Sequence, residues 1–281
     1  MDENRRGYSL KAPGAPTGGA PRHLPGRGSF PRVDDRLVEA EVTRDEMIGG
    51  RRIVASPANP PHATRQTDLD YVLRAHVAPG YIAATDLLTR HDQDSDFASD
   101  TCIYRTGIDP STGARYLEEI AFEVVSEQNQ RWVSEKAKRM HRRGVRRIFT
   151  VWIKTQKVCE WSAETESWRP LEAVQQITDP CLVKSLDVAA LLDAALADNA
   201  VVEALVVKGN PSIRRRETAA EAKGKAAGAT DAILKVLESR GLAVSPAQRQ
   251  EILDCHDPDR LDRWLARVAL ISSANELTST P

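Results

Sequence analysis

Glu123 is the residue whose setting first demands chemistry. It stands inside Glu119-Ile-Ala-Phe-Glu-Val-Val-Ser126, a run that reads as an interior strand apolar on both faces. Ile120, Phe122 and Val124 share one side; Ala121 and Val125 share the other. An ionised carboxylate there is costly unless it is paired or bound to a cation. Asp100 stands at the entry of the preceding strand-prone run, Thr101-Cys-Ile-Tyr-Arg105. If the two strands lie close, both carboxylates face one cleft and could share a hard divalent ion such as magnesium. Asp92, Asp94 and Asp96 lie just upstream and compete with Asp100 for that role.

Lys136 completes the set. In the helix read over residues 131–143, Val133, Ala137 and Met140 mark the face turned to the sheet. Lys136 lies on that face, while Arg139, Arg142 and Arg143 point elsewhere, and Lys138 is its competitor. A buried bridge between Glu123 and Lys136 would explain those two residues but leave Asp100 unexplained. Two carboxylates and a lysine are the parts of metal-assisted phosphodiester hydrolysis: the ion activates water and offsets charge on the phosphate, and the ammonium orients that water.

The elements that must position these groups follow from pattern. Leu69, Val72, Leu73 and His76 have helical spacing, with Thr67 as N-cap and Pro79-Gly80 as stop, and Ala55 to Pro61 reads as loop from its prolines. Residues 91–100 form a polar stretch, and Gly107 to Gly113 a turn-prone loop between two strands. After the helix come strands over 147–153 and 157–161. Beyond Pro170 the pattern is helical: residues 188–196, an Ala-rich charged stretch from Arg214 to Asp231 running on to Gly241, and two helices opened by Ser245-Pro246 and Asp257-Pro258.

These residues resemble a known family. Ser99-Asp100-Thr-Cys-Ile-Tyr is similar to its element of an aspartate before an apolar strand. Ile120-Ala-Phe-Glu-Val-Val-Ser126 is similar to its apolar, Glu, Val, apolar, Ser element. Glu135-Lys136, followed by Gly144-Val145 and Ile148-Phe-Thr-Val-Trp152, resembles the helix and closing strand of the restriction endonuclease family often called Uma two, within the PD-(D/E)XK nuclease-like superfamily. The resemblance covers roughly residues 65–165. It implies an α/β (α+β) fold, a restriction endonuclease-like central mixed sheet flanked by helices, and a magnesium-dependent endonuclease, a hydrolase. Asp100, Glu123 and Lys136 would be its catalytic residues, and Asp100 and Glu123 its ligands for Mg2+ or Mn2+. Ser99 replaces the usual proline, Glu127 stands where a proline commonly follows, and Val125 takes the place of the strand lysine, so Lys136 must serve from the helix. Superfamily members often add an acidic residue from the first core helix, a place Asp68 or Asp70 could fill.

The remaining features bound partners and organisation. The formal net charge of -1 neither favours nor opposes nucleic acid, but Arg139, Arg142, Arg143 and Arg146, with Lys138 and Arg147, form a dense basic run that could hold a DNA backbone or simply be a solvated face. Trp132 and Trp152 read as packing residues rather than base-stacking ones. The histidines lack metal-ligand spacing, no nucleophilic triad or phosphate loop is present, and Cys102, Cys159, Cys181 and Cys255 form no CxxC pair, so reduced cytoplasmic thiols are expected. No stretch is apolar enough for a membrane span. The expected organisation is a disordered tail over 1–32, a nuclease-like domain over 33–175, a helical linker over 176–215 and an all-helical C-terminal module over 216–281. DNA is the expected partner, with a homodimer or protein partner possible through 216–281. The alternative function is a catalytically silent nuclease fold acting as a binding or regulatory module through those helices.

Overall fold

The computed structural model describes residues 29–37, 45–54, 59–126 and 130–278. The expectation of a disordered tail over 1–32 lies almost wholly outside the described residues. The chain forms two compact units, Met1–Lys208 and Gly209–Pro281.

The first unit is a central mixed sheet flanked by helices, as its alternation of strand and helix signals requires. The sheet holds β1 (Asp45–Ile48), β2 (Arg51–Val54), β3 (Tyr81–Asp92), β4 (Ser95–Arg105), β7 (Glu118–Val125), β8 (Arg147–Trp152), β9 (Lys157–Ser162) and β10 (Ser167–Leu171). Two short hairpins, β5 (Ile108–Asp109) with β6 (Ala114–Arg115) and β11 (Gln176–Ile177) with β12 (Leu186–Asp187), lie outside it. Among the described residues only β7 and β8 run parallel, with α2 (Gln130–Arg143) between them in sequence; the other pairs are antiparallel.

Both faces of β7 are buried, as its sequence requires. Ile120, Phe122 and Val124 join Leu69, Val72 and Leu73 of α1 (Pro60–His76) and Ala197, Val201 and Ala204 of α3 (Ala194–Val207) in one core. Ala121 on the opposite face joins Ala137 and Met140 of α2, with Phe97, Cys102 and Ile148. Trp132 packs against this second cluster.

Several boundaries differ from the sequence reading. Pro60 and Pro61 open α1 rather than end a loop, because proline lacks only an N–H that the first turn would leave unpaired; Asn59, not Thr67, is the N-cap. The polar stretch 91–100 is the end of β3, a turn at Gln93 and Asp94, and the first half of β4, with His91, Ser95, Asp96 and Ser99 buried by neighbours that local sequence does not announce. The helix read over 188–196 is a 3-10 turn, Val188–Leu191, then α3, restarted by Asp193 whose carboxylate caps Leu196. The stretch 176–215 is divided. Up to Lys208 it belongs to the first unit and sends Ile177, Leu186, Val188 and Leu191 into the core over the sheet, which needs that apolar cover.

The second unit contains α4 (Pro211–Ser239), α5 (Pro246–Leu253), α6 (Pro258–Val268) and α7 (Asn275–Thr278). Trp264, Ile233, Leu237, Ile252, Leu261 and Leu277 form its core. Ser245 and Asp257 cap α5 and α6 ahead of proline, as the sequence indicates.

Candidate active site

The site is built on a gap in the sheet. One edge of β4 pairs with β3 from Arg105 to Ser95. The other edge is shared: β7 pairs with Thr101 to Tyr104, and β1 pairs with Asp96. Between these, the backbone of Ala98, Ser99 and Asp100 has no strand partner on that side among the described residues, and β7 continues alongside β8. Backbone groups left this way must find other partners, and here side chains supply them. Asp100 Oδ2 accepts from the Val124 N–H at 2.6 Å, Glu46 Oε1 accepts from the Ala98 N–H at 3.0 Å, and Lys136 Nζ donates to the Ala98 carbonyl at 3.1 Å.

The three residues singled out by sequence converge on this gap. Lys136 Nζ lies 3.5 Å from Glu123 Oε2 and 2.9 Å from Glu46 Oε1. Extending the β4–β7 register by one step sets Asp100 opposite Glu123. Glu123 Oε1 is buried without a hydrogen-bond partner among the described residues. Burial pushes the Glu123 carboxyl up to about 8 against the pull of Lys136, and Asp100 and Glu46 push it the same way. For Lys136, burial pulls the pKa down, but Glu123, Glu46 and Asp100 outweigh it, so the ammonium is firmly charged.

Glu46 is the residue the sequence reading missed. It sits on the β1–β2 hairpin, turned by Gly49 and Gly50 at φ 60° and 71°. Asp45-Glu-Met-Ile-Gly-Gly-Arg-Arg-Ile-Val54 carried the signal: two glycines between strand-prone runs mark a two-residue hairpin. His62 was also passed over. It opens α1 with Nε2 at 3.6 Å from Asp100 Oδ1, and its pKa is raised chiefly by the Asp100 carboxylate, against burial.

The other candidates are placed elsewhere. Asp92 and Asp94 pair with Arg139 at 2.7 and 2.8 Å. Asp96 is fully buried and accepts from the Leu37 N–H. Lys138 pairs with Glu166. Asp68 lies 3.6 Å from Arg65, while Asp70 Oδ1 accepts from Thr101 Oγ1 at 2.5 Å.

The basic run is not one surface. Arg139 joins Glu135, Asp92 and Asp94. Arg143, expected outward, is buried, donating to the Pro31 carbonyl and lying over the Phe30 ring. Arg146 pairs with Glu119 and Asp179. Arg142 is exposed.

Among the described residues, no three His, Cys, Asp or Glu side chains stand together at metal-ligating spacing. Asp100 and Glu123 are the pair that could hold a magnesium ion, which commonly takes one or two carboxylates and fills its remaining positions with water and substrate phosphate. The donor set fits: three carboxyl groups meet the Lys136 ammonium and the His62 imidazole, and Glu123 Oε1 has no partner among the described residues.

No family model matches the chain, and no curated protein matches it. Among solved structures, it is similar to a protein from Anabaena variabilis ATCC 29413 that belongs to DUF820 and is described as a candidate nuclease. The likeness covers 54% of this chain and 90% of the other, at 15% identity and a TM-score of 0.45, a distance at which it carries no residue roles.

Proposed function

We propose that the first unit is a metal-dependent endonuclease hydrolysing DNA phosphodiester bonds at the gap between β4 and β7. The observation that carries this reading is the buried Glu123 Oε1, without a partner among the described residues, in a site where Glu46, Asp100 and Glu123 meet the Lys136 ammonium and the His62 imidazole. Burial drives the Glu123 carboxyl toward its neutral form, and a bound cation would hold it ionised and take its open oxygen. Asp100 and Glu123 would hold Mg2+ or Mn2+, which would lower the pKa of an attacking water and offset charge on the phosphate. Lys136, kept protonated by its carboxylate neighbours, is suited to donate to that water or to a phosphate oxygen rather than to act as a base. Glu46 holds the ammonium against the gap.

The test is cleavage of plasmid and single-stranded DNA with magnesium or manganese, comparing wild type with Glu123→Ala. The wild type should cut and the variant should lose activity; equal cutting by both would sink the site assignment.

A second reading, a silent nuclease fold that binds through its C-terminal helices, draws support from the ion pairs of Arg139 and Arg146 and the burial of Arg143, which leave little of the basic run open to DNA. If no DNA is cut and a salt titration shows no DNA binding, this second reading is favoured.

A further inference from the structure

We propose that Gln66 is a positioning residue for Asp100, clipping together a paired inversion of β3 and β4 that turns the Asp100 side chain into the gap; this rests on Asp100 belonging to the proposed site.

In a regular strand, residues an odd number apart face opposite sides. Ala84 and Leu87 on β3, three apart, pack against the same cluster beneath α2, and so do Cys102 and Phe97 on β4, five apart. Ala83 and Ile103 pack on the other side of the sheet. Both strands therefore change face between these residues. The register on either side is unbroken, from Thr85↔Thr101 to Leu87↔Ser99, so neither strand gains a residue. The inversion falls on the step between, where Asp86 faces Asp100.

Asp86 has φ 50°, the left-handed conformation that side chains with a Cβ avoid. Without the inversion Asp100 would share the face of Cys102, toward α2. Instead its Oδ2 reaches the Val124 N–H at 2.6 Å and its Oδ1 lies 3.6 Å from His62 Nε2 of α1.

Gln66 holds both residues of this step. Its Nε2 donates to Asp86 Oδ1 at 3.0 Å and to the Asp100 carbonyl at 2.9 Å. It lies on the α1 face that carries His62 one turn before and Asp70 one turn after, and Asp70 accepts from Thr101 Oγ1. One helix face thus grips three successive features of the turn-over: Asp70 reaches Thr101 and Thr85 on the adjacent step, and Gln66 bridges the two strands at the Asp86 and Asp100 step itself. Once that bridge is removed, Asp86 is free to return to ordinary strand geometry, and Asp100 to swing off Val124.

Hydrogen exchange of the Val124 amide reads the position of Asp100 whether or not the protein cleaves anything. In Gln66→Leu this amide should exchange at least about tenfold faster than in wild type, relative to the β7 amides paired with β8. Adding Asp86→Gly, which makes the left-handed conformation unstrained, should restore much of the protection. Manganese binding by calorimetry should weaken and recover in parallel. Unchanged Val124 exchange in Gln66→Leu overturns the proposal, as does a general acceleration along β7 that Asp86→Gly does not reverse. A selective acceleration, or a rescue, supports it. Failure of the wild type to cleave or to bind manganese would count against the nuclease reading alone, since the exchange comparison stands without it.

Discussion

Glu123 and Lys136 answer opposite electrostatic demands. Burial drives Glu123 toward its neutral form, while the surrounding carboxylates hold Lys136 charged. Neutralising Glu123 without changing its size should therefore relieve the folded protein. Glu123→Gln is expected to melt no lower than wild type in metal-free buffer, while cleavage falls by roughly 10²–10³-fold; a lower melting temperature would mean that the ionised carboxylate is a structural partner of Lys136. His91 makes a different prediction. It is buried, stacked on Phe97, and neither ring nitrogen has a partner among the described residues. Burial holds its pKa well below the usual value, and nearby Arg143, Lys136, Arg115 and Arg139 act the same way. The unfolded chain protonates this ring near pH ~6.5 while the folded one does not, so the unfolded state binds more protons below that point. Stability is full above pH ~6.5 and falls as pH drops from there toward the folded pKa. His76, lowered by burial, adds to the same slope. Melting curves between pH 7.5 and 5.5 should show the decline, and it should be shallower in His91→Phe; an unchanged slope would show that His91 is not responsible.

At the scale of elements, the β1–β2 hairpin delivers Glu46 only because its turn fits under α2. Gly49 N–H donates to Ser95 Oγ, and Gly50 N–H to the Asp94 carbonyl. Arg139 fastens the same corner through Asp92, Asp94 and Ser95. A Cβ at Gly49 would come within 2.6 Å of the Arg139 guanidinium, and φ at this position is 60°. Gly49→Ala is expected to cost roughly 1–3 kcal/mol in denaturant unfolding and to depress cleavage by loosening Glu46 from Lys136. Wild-type stability in this variant would show that the corner is looser than its contacts indicate. The local signals were unevenly legible here. The amphipathic face of α2 and the apolar faces of β7 announced themselves through periodicity. β1 was marked only by the glycines of its turn, and the first half of β4 not at all, because Ser95, Asp96 and Ser99 are buried by tertiary partners rather than by a pattern of their own.

At the scale of the whole molecule, each of the two units is buried around apolar clusters of its own, so stability can be lost in either. Trp264 is fully buried in the second unit. Trp264→Ala should destabilise that unit by about 3–5 kcal/mol, read as loss of helical circular dichroism, while the sheet unit keeps its own core. Loss of the sheet signal at the same temperature would show that the two unfold as one. Charge also acts at this scale. Because Arg139, Arg143 and Arg146 are engaged within the fold, Arg142→Ala should lower the slope of log affinity for DNA against log salt by about one. Arg146→Ala should change stability more than slope, and an equal slope change in both would restore the basic run as a single surface.

What the sequence determined by itself was the chemistry that needed explaining: a carboxylate in an apolar strand, an aspartate at a strand entry, and a lysine on an inward helix face. It also determined the strands and helices whose periodicity was strong, and the caps of α5 and α6. Only the tertiary structure decided that the strand ladder opens between Asp96 and Thr101, that Glu46 and His62 come to that opening from distant parts of the chain, and that most of the basic run is spent on internal ion pairs. The physical reason is range. Periodicity and capping act within a few residues, whereas a gap in a sheet and the partner of a buried charge depend on which strands happen to lie side by side.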